Sequence, residues 1–136
     1  MVEQEFDAQA HVKRAADGVQ KLASDLHDII VAMATQLAPF PYFLGSTEVR
    51  AIEAEPGGVQ KADRGCVVVC PDGEMYEFSM KIQAPGPGFD LSMSRDDAVK
   101  RLELAPEDYI PYAHNAVKEL AVLLDEQKTR AKKYSF

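Results

Sequence analysis

Residues 64–83 read RGCVVVCPDGEMYEFSMKIQ, two strand-like runs around Pro71-Asp72-Gly73, and this hairpin decides how the rest of the chain is read. The first run, Cys66-Val67-Val68-Val69-Cys70, is short, apolar and β-branched, which suits a strand covered on both faces. The second run alternates. Tyr76, Phe78, Met80 and Ile82 fall on one side, and Met75, Glu77, Ser79 and Lys81 on the other, because successive strand side chains leave opposite faces. One sheet face is therefore predicted to be apolar. Between the runs, Pro71 presets a turn φ, Asp72 bonds its own backbone and Gly73 supplies the left-handed conformation that the bend needs.

Working outward, residues 47–55 (TEVRAIEAE) alternate imperfectly and predict an amphipathic strand. Pro56-Gly57-Gly58 follows as a turn, and Val59-Gln60-Lys61 is read as the start of the return strand. On the other side of the hairpin, residues 83–88 form a Pro/Gly loop, and Phe89, Leu91 and Met93 share one face of a further strand. Ser94, with Asp97 three residues on, predicts the N-cap of a short helix through about Leu104. Pro111 is expected to open the last helix, which runs to about Lys132 with Ala113, Ala116, Val117, Leu120, Leu123 and Leu124 on one stripe. Lys128, Arg130, Lys132 and Lys133 complement the negative end of its dipole.

Upstream, residues 3–37 predict a long helix. Val12, Val19, Leu22, Leu26, Ile29 and Met33 recur at spacings of three, four and seven, close to a heptad seam. Gly18 is its weak point, at a cost of up to ~1 kcal/mol. Unbroken, such a helix spans roughly 50 Å at ~1.5 Å per residue, whereas a compact domain of this length has a radius of gyration of only about 14 Å. A rod that overhangs its core seeks cover from a second copy, so homodimerisation through those six residues is expected. Broken at Gly18, it would simply cover one sheet face. Pro39 and Pro41 stop the helix, and Phe40, Tyr42, Phe43 and Leu44 then crowd a connecting loop. They are candidate contacts for another protein, or rings that close the end of the core.

The 136 residues, 46% hydrophobic and 27% charged, make one domain able to bury a core of its own. No run approaches the ~18–20 apolar residues of a membrane span, so no membrane is expected. The acidic start MVEQEFDAQ shows no secretory signal, and a cytoplasmic location is the default. A net charge of −7 disfavours a nucleic-acid backbone, which recruits clustered Lys and Arg. Cys66 and Cys70 would lie about 13 Å apart on a strand at ~3.3 Å per residue, too far for a disulfide, which needs about 7 Å or less. They read as free thiols in a reducing compartment.

No sequence motif points to catalysis, a cofactor or a metal. Gly86-Pro87-Gly88 lacks the Lys and Ser or Thr of a phosphate loop. Asp90, Ser92, Ser94 and Asp96 imitate a calcium loop, but Arg95 holds its glycine position and Arg101 its bidentate glutamate position. His11, His27 and His114 read as exposed histidines, and the helical neighbours of His27, Asp25 and Asp28, do not face it.

The expected architecture is α+β: a long N-terminal helix packed on a three- to four-stranded antiparallel sheet, then a short helix and a long C-terminal helix. With its acidic charge and expected dimer, this order is similar in outline to small bacterial secretion chaperones. That class places a strand between its later helices, and none is read here after Leu102. The functional expectation is a non-catalytic, adaptor-like interaction domain acting as a homodimer. Two alternatives are a chaperone-like binder of a client chain and a small ligand-binding or enzymatic domain. The latter would have its pocket between the Tyr76/Phe78/Met80 face and the helices.

Overall fold

A computed structural model describes residues 7–43, 49–56, 66–78 and 99–133. In chain order they form α1 (Ala8–Gln36), β1 (Ile52–Glu53), β2 (Cys66–Val69), β3 (Met75–Phe78), β4 (Val99–Arg101) and α2 (Pro106–Lys133). The four strands make one antiparallel sheet in the order β1-β2-β3-β4. The class is α+β.

The hairpin is built as its residues dictate. Gly73 adopts φ +82°, and its N–H bonds to the Cys70 carbonyl at 2.9 Å. Asp72 closes the bend by accepting from the Glu74 N–H at 2.9 Å and from the Tyr76 hydroxyl at 2.6 Å. Pairing Cys66 with Phe78 and Val69 with Met75 then fixes which residues share a face.

Val67, Val68 and Val69 are all fully buried, because the sheet is covered on both sides. Val67, Val69 and Met75 join Ile30, Ala34, Leu37, Phe40, Ile52, Ala54, Ala113, Ala116 and Leu120 in a core under the two helices. Val68 faces the other way, into a second cluster with Phe43, Val49 and Ala51, bordered by Cys66, Cys70, Tyr76, Phe78 and Val99. Burying each such aliphatic side chain contributes about 1.5–3 kcal/mol.

The pocket expected between the Tyr76/Phe78 face and the helices is thus corrected. Register places that face on the opposite side, and Met75 points toward the helices. The short helix expected from Ser94 to about Leu104 is likewise overturned where described, since Val99–Arg101 pairs with β3. Ladder bonds and the placement of Val99 beside Phe78 outweigh a capping pattern that involves no tertiary contact. Of the strand expected at residues 47–55, residues 47 and 48 lie outside the described residues, and the rest contributes Ile52–Glu53 plus a bridge between Tyr42 and Arg50. The strand expected at residues 89–93 lies outside the described residues.

α1 runs through Gly18 without a break. At 29 residues it is about 43 Å long at ~1.5 Å per residue. Asp7 caps its start by accepting from the Ala10 N–H at 3.2 Å, and Pro39 follows its end. α2 begins at Pro106 and carries Pro111 inside it, one turn and more earlier than expected. Pro106 occupies the first position, where no donor is needed, and Glu107 and Asp108 complement the positive end of the dipole. The far ends of both helices are tied together by Gln127. Its side chain accepts from the Ala38 N–H at 2.8 Å and donates to the Gln36 carbonyl at 3.0 Å, satisfying two backbone groups that α1 leaves open.

Candidate functional site

The stripe of α1 that enters the core is Ala23, Ile30 and Ala34, with Leu37 beyond the helix end and Leu26 and Met33 packed half-buried at its edge. The expected seam is displaced from this stripe by about one residue. Of its six members, Leu26 and Met33 serve the chain's own core, Val19 is half-buried, and Val12, Leu22 and Ile29 remain 61%, 48% and 45% exposed. Every other residue from Asp7 to Leu22 is exposed as well. The N-terminal half of α1 therefore projects beyond the core and carries an apolar line along it.

The aromatic cluster is divided between the two sides of the sheet. Phe40 is buried in the helix-side core and Phe43 in the opposite one, where its ring meets Phe78 edge-on with centroids 5.1 Å apart. Tyr42 is 47% exposed, with the Arg50 guanidinium 4.1 Å above its ring. Arg50 also donates to the Tyr42 hydroxyl at 2.9 Å and to the Phe40 carbonyl. Leu44 lies outside the described residues.

One polar group was not foreseen. His27 is half-buried and not an exposed histidine: its Nε2 lies 2.7 Å from Glu74 Oε1, while its Nδ1 lies 3.8 Å from Asp28 Oδ1. Arg101 reaches the other Glu74 oxygen at 3.5 Å. α1, the hairpin bend and β4 are thereby joined through one carboxylate. Tyr109 sits close enough to Glu74 and Asp28 to feel them; burial and then those two charges push its hydroxyl up to about 12. Its buried oxygen has no hydrogen-bond partner among the described residues. Nothing in sequence spacing links His27 to Glu74, 47 positions away.

No family model, curated protein or solved structure matches this chain.

The remaining chemistry is muted. Cys66 and Cys70 are free, and burial, reinforced by Glu53 and Glu55, pushes the Cys66 thiol up to about 12. It is held protonated, whereas a nucleophilic cysteine needs a lowered pKa. Among the described residues no group of three His, Cys, Asp or Glu side chains is placed to hold a metal ion. Among them, too, no helix is long and apolar enough to cross a membrane. A depression of about 540 Å³ runs along α2, lined by Val122, Asp125, Glu126, Thr129 and Arg130. All five belong to one helix, so it is an open flank without the convergent walls of a ligand site. The space between helices and sheet is filled by Ile30, Val67, Val69, Met75 and Leu120.

Proposed function

We propose that this protein is a non-catalytic, cytoplasmic interaction domain that works as a homodimer through the exposed line on α1. The observation that supports it is the line itself: Val12, Leu22 and Ile29 each leave about half of their surface in water on a helix whose neighbouring stripe is already committed to its own core. Burying half of such a side chain contributes on the order of 1 kcal/mol. Both copies supply the set, so these side chains together give a gross gain of about 6 kcal/mol, of the size that association costs, and the surplus must come from the other contacts along the paired helices. The free, protonated Cys66 thiol fits a reducing compartment.

Sedimentation equilibrium at tens of micromolar tests the reading. A dimer is expected, and Leu22→Asp is expected to dissociate it while leaving the circular dichroism of the fold unchanged, since Leu22 takes no part in the core. A wild-type chain that stays monomeric across that range removes the proposal.

A further inference from the structure

We draw no further inference here: the strongest candidate, the exposed apolar face of α1 formed by Val12, Leu22 and Ile29, is the surface already used in the proposed function, and nothing in the structure shows what covers it.

Discussion

Gly73→Ala measures how closely the hairpin bend is pressed onto α1. The residue sits at φ +82°, and a β-carbon built there would lie 2.6 Å from the Val31 Cα and 2.8 Å from its Cγ2. The nearest atom belongs to helix backbone, so no rotamer change relieves the contact. The left-handed conformation costs an L-residue ~1–2 kcal/mol and a methyl forced into a packed interface ~1–3 kcal/mol, together about 3 kcal/mol. For a domain of this size that lowers the melting midpoint by roughly 10 °C. Thermal and urea unfolding followed by circular dichroism would read it. Gly73→Asn separates the two causes, because asparagine tolerates the left-handed region but carries the same β-carbon. It should remain nearly as unstable as the alanine variant. If Gly73→Ala melts within about 2 °C of wild type, the bend is not docked on Val31 and the close approach is refuted.

Gly18 has the opposite sign. A β-carbon there meets nothing within 4 Å, so Gly18→Ala should stabilise the chain by about 0.5–1 kcal/mol in the same urea assay. Gln127→Ala leaves the Ala38 N–H and Gln36 carbonyl to water, and should cost about 1 kcal/mol of stability; hydrogen exchange at Ala38 should quicken. At alkaline pH the hydroxyls of Tyr76 and Tyr109 and the Cys66 thiol all titrate near 12, raised from ordinary values of 10 and 9. A raised pKa means that the folded state holds its proton more tightly. Their contribution is complete below the unfolded values and is lost as pH rises from about 9 to about 12; absorbance at the tyrosinate band should show a late-titrating class that coincides with unfolding. Finally, backbone amides over residues 12–21 should exchange fast in dilute protein and slow as concentration rises, and exchange that ignores concentration would count against an interface there.

The hairpin was legible because its cues are local: the valine run, Pro71-Asp72-Gly73 and the alternation after it need no distant partner. The direction of that alternation was not, since either face of Met75-Tyr76-Glu77-Phe78 can be turned inward until a register is chosen, and Val67 and Val69 choose it by lying opposite Glu77 and Met75. The helix expected before Leu104 failed for a related reason. A capping pattern at Ser94 and Asp97 is a local signal, while Val99–Arg101 is drawn into the sheet by pairing with Tyr76, Glu77 and Phe78. His27 and Glu74 were out of reach, being brought together by the same docking of the bend on α1 that places Gly73 against Val31. The α1 line was read at the right spacing but serves two purposes, Leu26 and Met33 inward and Val12, Leu22 and Ile29 outward.

That division bears on why the arm of α1 stays helical. Isolated helices shorter than about 12–15 residues are marginal in water, and most helical stability in proteins comes from packing an amphipathic face. The arm from Ala8 to Leu22 has almost none of that packing from its own chain. What supports it locally is modest: the Asp7 cap, the ion pair of Lys21 with Asp25 at 2.9 Å, and a sequence rich in alanine, set against the cost of Gly18. Exposed i,i+4 pairs contribute only about 0.3–0.5 kcal/mol, and a cap about 1 kcal/mol, so local terms alone leave the arm near the balance point. On the association proposed above, a partner helix laid along Val12, Val19 and Leu22 would supply the tertiary term that the chain does not supply for itself. Helix formation in the arm and association through it would then be two descriptions of one equilibrium, and a substitution that strengthens either would strengthen both.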